Sequence, residues 1–118
     1  MGTVTRGHLD LRTLERVRDK LQLDWADVAA ALSVDQSTVY RWRHGEAAPR
    51  PMALSRLAQL EELMELMQRI FAGPDLAREW LNQARPDALG GHQTPLEVMR
   101  TGRIDRVLMV LHFLARGA

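Results

Sequence analysis

The sequence predicts an all-α fold, with short helices at the N-terminal end, a long helix in the middle and a small helical domain at the C-terminal end. Three observations carry this. Apolar residues recur at spacings of three and four almost throughout, and no long stretch alternates apolar and polar residues. Helix-start signatures precede the periodic runs, the strongest being Thr94-Pro95-Leu96-Glu97. Glycine and proline punctuate the chain at Gly45, Pro49-Arg50-Pro51, Gly73-Pro74 and Gly90-Gly91.

The first helix is expected from about Leu9 to Leu21, with Leu11, Leu14, Val17 and Leu21 on one face. Asp24 is a good N-cap for a second helix carrying Trp25, Val28, Ala29 and Leu32, and Asp27 sits in its first turn, where a carboxylate is favoured. A break at Ser33-Val34 follows. Asp35 then caps a third helix with Val39 and Trp42 inward, and Gly45 ends it as a left-handed residue. Glu46 to Pro51 is a stiff loop. The long helix runs from about Met52 to Ala72. Leu57, Leu60, Met64, Met67 and Phe71 form one apolar seam on it, and Leu63, Leu66 and Ile70 form a second stripe. A helix touching one layer needs one stripe. Two stripes fit either a central core helix or a subunit interface, and on the second reading Leu60, Leu63, Met64, Met67 and Phe71 join a homodimer. Asp75 is expected to cap a helix to about Gln83, before an irregular loop with Arg85-Pro86-Asp87 and Gly90-Gly91. Gly102 ends the helix begun at Thr94, and a last helix spans about Ile104 to Ala115, with Val107, Leu108, Leu111 and Leu114 for packing. Met64, Met67, Met99 and Met109 read as core fillers. The implied organisation is 1–50, 51–72 and 73–118.

The chain has 118 residues, 46% hydrophobic and 26% charged. That fits one domain, or a small module with an appendage, and excludes wholesale disorder. Sixteen basic against fifteen acidic residues leave a formal charge of +1, so bulk electrostatics drive no nucleic-acid binding, although a local basic patch remains open. Lys20 is the only lysine, and the arginines favour planar, bidentate contacts. Without cysteine there is no disulfide, thiolate nucleophile or thiolate-bound metal. The N-terminus has no secretory apolar core, and no apolar stretch approaches the roughly 20 residues of a membrane span. A soluble protein of a reducing cytoplasm is expected. His8, His44, His92 and His112 lack metal-ligand spacing, and no phosphate loop or paired-carboxylate spacing is present, so neither an enzyme nor a cofactor is expected.

Leu23 to Gly45 has helix-turn-helix spacing: two short helices, a tight break, small Ala29 at the crossing, and apolar Val34 and Val39 toward the core. Residues Leu32 to Gly45, followed by Pro49, resemble the Xre/Cro-like repressor family, whose second helix enters the major groove of operator DNA. The candidate DNA-binding residues are Gln36, Ser37, Thr38, Tyr40, Arg41, Arg43, His44 and Arg50. Glutamine can pair bidentately with adenine and arginine with guanine. Gln36 to Arg50 carries a local excess of +2. The family usually has glycine where this chain has Ser33, in a left-handed turn that costs a residue with a Cβ on the order of 1 kcal/mol. A bundle with a solvated polar face is the plain alternative.

The C-terminal stretch carries a second resemblance, through Trp80-Leu81, Leu89-Gly90-Gly91, Thr94-Pro95-Leu96-Glu97, and Thr101-Gly102 followed by Arg106-Val107. It looks like the toxin-binding domain of the Xre, MbcA and ParS antitoxins, and the domain order matches. This resemblance implies an antitoxin of a type II toxin–antitoxin pair, which blocks a cognate RES-domain toxin acting on NAD or using it for ADP-ribosylation, dimerises and represses its own operon. Candidate toxin contacts are Trp80, Arg100, Arg103, Arg106 and Arg116. Arginines 100, 103, 106 and 116 against Asp105 leave this end at +3. Each arginine alone also reads as a solvated charge, and Trp80 also reads as a core anchor. A stand-alone dimeric repressor without a toxin, or an interaction module with a vestigial DNA motif, are the alternatives.

Overall fold

The computed structural model describes residues 11–83 and 93–117. Seven α-helices and no strand occur among them: α1 (Leu11–Leu21), α2 (Trp25–Leu32), α3 (Gln36–Arg43), α4 (Pro51–Ile70), α5 (Pro74–Leu81), α6 (Pro95–Arg100) and α7 (Ile104–Ala115). The all-α expectation holds. Leu9, the side chain of Leu11, His8, Arg85-Pro86-Asp87, Leu89 to His92 and Ala118 lie outside the described residues.

Local chemistry accounts for most helix ends. At α2, the Asp27 amide donates to Asp24 Oδ1 at 2.8 Å and the Asp24 amide donates to Asp27 Oδ2 at 3.3 Å, a reciprocal capping box. Thr94 and Glu97 make the same box at α6, at 3.1 and 2.8 Å, with Pro95 in the first turn. Two expected caps differ. Asp35 stands at the start of α3 but makes no side-chain cap bond. Gly73, at φ +119, rather than Asp75, is the N-cap of α5, because Pro74 starts that helix one residue earlier. The long helix likewise starts at Pro51 and stops at Ile70, inside the expected Ala72.

Four helices end in the same left-handed closure, with the amide of the residue after it reaching back five positions. Gly45 and Gly102 supply it for α3 and α6, as expected, through Glu46 N–H to Arg41 O at 2.8 Å and Arg103 N–H to Val98 O at 3.3 Å. Ser33 supplies it for α2 at φ 60° and Gln22 for α1 at φ 57°. The sequence gives no signal for Gln22.

One continuous apolar core runs through both ends of the chain. Helix α4 lies at its centre and meets α1, α2 and α5, with its most extensive packing along α7. Both stripes of α4 are consumed there: Leu60 and Leu63 are 0% exposed and Met64 and Met67 are 1% exposed. Of the two readings of this helix, the structure shows the central core helix. Ile104, Val107 and Leu111 of α7 are also fully buried, while Leu114 and Met109 are exposed, so Met109 is not the core filler it reads as.

Leu60→Ala should therefore cost about 2–5 kcal/mol, through lost transfer energy and the cavity left behind. Thr94→Ala should cost about 1 kcal/mol through the lost cap. Urea unfolding followed by circular dichroism reads both, and an unchanged midpoint for Leu60→Ala would contradict the central seat of α4.

Candidate nucleic-acid interface and C-terminal surface

The turn between α2 and α3 is built on Ser33, at φ 60° and ψ 42°. Its amide donates to Ala30 O at 3.1 Å and the Val34 amide to Ala29 O at 3.0 Å, so the tight break has the left-handed geometry the sequence asks of it. The Ser33 hydroxyl accepts a hydrogen bond from Arg56 Nη1 of α4.

Helix α3 has two unlike faces. Val39 and Trp42 are buried. Gln36, Ser37, Tyr40, Arg41 and His44 are exposed, at spacings that place them on one side of the helix. Arg41 Nη2 donates to Thr38 Oγ1 at 3.3 Å, which tilts the guanidinium toward the start of the helix. The Tyr40 and His44 rings stack at 3.9 Å, and His44 Nδ1 donates to the Tyr40 carbonyl at 2.8 Å. Arg41, Arg50 and Thr38 line one groove with exposed Met52. The structure thus brings seven of the eight candidate DNA-binding residues to one side or its margin. Arg43 departs: its guanidinium lies 4.2 Å over the Trp25 ring, which Arg18 also covers at 4.5 Å, and its Nε is buried without a hydrogen-bond partner. Sequence reasoning missed Trp25 and Arg18 here, because the contact joins three helices and no local spacing reports it.

The C-terminal candidates are dispersed. Trp80 is 7% exposed and its ring lies 5.8 Å from Phe71, so it anchors the core and offers no surface to a partner. Arg100 Nε donates to Asp27 Oδ1 at 2.8 Å, tying α6 to the capping box of α2. Arg103 clasps Asp105 at 3.0 and 3.1 Å. Arg106 is half-buried on α7, and Arg116 is exposed at its end. The surface the sequence reading missed is apolar: Met109 at 67% and Phe113 at 57% exposure, beside Leu114. The available signal was exclusion, since Ile104, Val107, Leu108 and Leu111 already fill the inward face. His112 Nε2 pairs with Glu62 Oε2 at 2.6 Å and holds α7 to α4.

The expected dimer seam is corrected on the same grounds. Leu60, Leu63, Met64 and Met67 are buried in this chain's own core, so they are not free to form a dimer seam in this fold, while Phe71 is half-buried against Trp80. Among the described residues no cluster of histidine and carboxylate side chains could hold a metal ion, and no helix is long and apolar enough to cross a membrane.

Residues 14–60 match the helix-turn-helix family model. The mycobacterial cidal antitoxin MbcA of Mycobacterium tuberculosis strain H37Rv is 25% identical over 105 residues, covering 89% of this chain and 90% of the relative, and MbcA of Mycobacterium bovis matches equally. The N-terminal half of the chain thus carries a helix-turn-helix domain, and the chain is similar to MbcA along most of its length. The crystal structure of the M. tuberculosis MbcT–MbcA toxin–antitoxin complex contains a chain of the same fold, at a TM-score of 0.66 and 24% identity, covering 92% of this chain and 95% of that one. The similarity to MbcA takes in both halves, so both resemblances read from the sequence stand. These relatives are named as antitoxins rather than enzymes.

The Arg103–Asp105 clasp makes a titration prediction. Hydrogen bonds from Arg103 hold the Asp105 carboxyl below its usual 3.8. A carboxyl depressed on folding adds stability above its unfolded value and loses it as pH falls through the folded one. Both side chains face solvent, which keeps that contribution small. A carbon-detected NMR titration should show a low midpoint for Asp105 that rises in Arg103→Ala; an identical midpoint in the variant would dismiss the clasp.

Proposed function

We propose that this chain is the antitoxin of a type II toxin–antitoxin pair, acting in the cytoplasm: it binds and neutralises a RES-domain toxin that consumes NAD or uses it for ADP-ribosylation, and it represses its own operon through α3. The observation that carries the reading is similarity to MbcA along nine-tenths of both chains, reaching well beyond the helix-turn-helix. The RES identity of the toxin rests on the C-terminal resemblance alone.

On DNA, Gln36, Ser37 and Arg41 reach base edges, and Arg50 at the start of α4 meets phosphate. A symmetric dimer would set two such helices about 34 Å apart. It must join through surface other than the buried α4 seam. For the toxin, Met109, Phe113 and Leu114 with Arg116 take over from Trp80, Arg100 and Arg103, which are engaged within the chain. An exposed apolar strip ending in a cation suits a partner surface with an apolar floor and an acidic rim.

Arg41→Ala should lose about 1–3 kcal/mol at the cognate operator and relax specificity there, whereas Arg50→Ala should weaken all sequences and lower the salt slope by about one unit. Equal losses on operator and random duplexes for Arg41→Ala would remove its base-reading role. For the toxin, cells co-expressing the neighbouring gene test the variants. Met109→Glu with Phe113→Glu should abolish growth rescue at equal expression and leave operator binding intact, while Gln36→Ala with Arg41→Ala should do the reverse. Failure of the wild-type chain to rescue would end the antitoxin reading for that partner.

A further inference from the structure

We propose that Arg56 and Gly102 are positioning residues for the recognition helix: through Ser33 they hold the left-handed turn from which α3 departs, so that α4 and the C-terminal half set the angle at which α3 meets DNA. This rests on the DNA-binding reading above.

Ser33 lies three residues before α3, at a φ that any residue with a Cβ adopts reluctantly. Glycine would make the turn without strain, but it would offer α4 nothing to hold. Serine offers a hydroxyl, and Arg56 Nη1 donates to it. Gly102 closes the site from the other side. A Cβ there would come within 2.7 Å of both Ser33 Oγ and Arg56 Nη1, and its φ of +84° disfavours a side chain as well. A methyl at Gly102 would therefore have to push the ends of both side chains aside and disturb their contact.

Gly102 is itself held, because it ends α6, and α6 is pinned to the first turn of α2 by Arg100 on Asp27, whose side chain is only 11% exposed. Helix α2 is thus gripped at its start by Arg100 and at its end by Arg56 and Gly102. Base-edge hydrogen bonds are intolerant of a tilt in the reading helix, whereas phosphate contacts tolerate it. Loosening the grip should therefore reduce discrimination between sequences while leaving general DNA binding alone.

The test compares two duplexes of equal length and composition, one from the chain's own promoter and one scrambled. Ser33→Ala deletes only the hydroxyl and alters no charge. Promoter affinity should fall about three- to ten-fold, the effect of one hydrogen bond, with scrambled binding and salt slope unchanged. Arg56→Ala should behave alike, and the double variant should be no worse than either single. Gly102→Ala should lose more; should circular dichroism show it unfolded, the two conservative variants decide. Additive losses in the double variant, promoter preference retained in Ser33→Ala, or a salt slope lowered by about one unit in Arg56→Ala, the mark of a phosphate contact, each overturn the proposal. Should the wild type fail to tell the duplexes apart, the DNA reading falls, and amide hydrogen exchange on free protein decides the grip. Ser33→Ala must then speed exchange at Val39 and Trp42 relative to Leu60 and Leu111; uniform rates would overturn it.

Discussion

The burial of α4 on two sides at once is the constraint on which everything else depends. Its N-terminal turns close the helix-turn-helix, while its length carries α7. Each fully buried leucine or methionine is worth about 1.5–3 kcal/mol of transfer free energy. Leu60, Leu63, Met64 and Met67 together therefore outweigh any single polar contact in the molecule. A surface helix with two apolar stripes would be a liability; a central helix with two is the simplest way to gather the six shorter described helices around one core.

Around that axis, polar contacts decide orientation more than stability. Two exposed pairs, Arg18 with Asp19 at 2.9 Å and Arg103 with Asp105, join near neighbours in sequence and add little. Arg100 on Asp27 differs, because it crosses 73 positions and lands on a carboxylate already ordered by its own helix cap. With a net charge of +1, long-range attraction does little to bring nucleic acid close. What α3 offers is geometry: a polar stripe on a helix that leaves a left-handed turn at Ser33.

The legible part of the structure was the part written in short range. Asp24 with Asp27, Thr94 with Glu97, Gly45 and Gly102 all act within one helical turn, the two boxes starting and the two glycines ending their helices where the sequence places them. The break at Ser33 was legible too, including its handedness. What escaped depends on partners far along the chain. Whether the two stripes of α4 face this chain or another cannot be read from α4, since the answer lies in α7. Trp80 reads either as a core anchor or as a contact residue until Phe71 is seen beside it, and Arg100 looks like a surface candidate until Asp27 is. Met109 looks like core because methionine usually is, and only the saturation of the inward face of α7 turns it outward. Gly73 displaced Asp75 as cap because the ring of Pro74 is already suited to the first helical position.

The seat of α4 also bears on portability. Many DNA-reading heads can be lifted from one chain and grafted onto another, because a linker separates them from the remainder of the polypeptide. Here a break in the sequence pattern near residue 72 marks no break in cohesion. Cutting there would strip α7 from α4 and lay bare the methionines and leucines beneath. It would also remove Gly102 from beside Ser33 and Arg100 from Asp27. A chimera that keeps α3 in its present setting must carry α6 and α7 along, so the smallest transferable unit is nearly the whole chain.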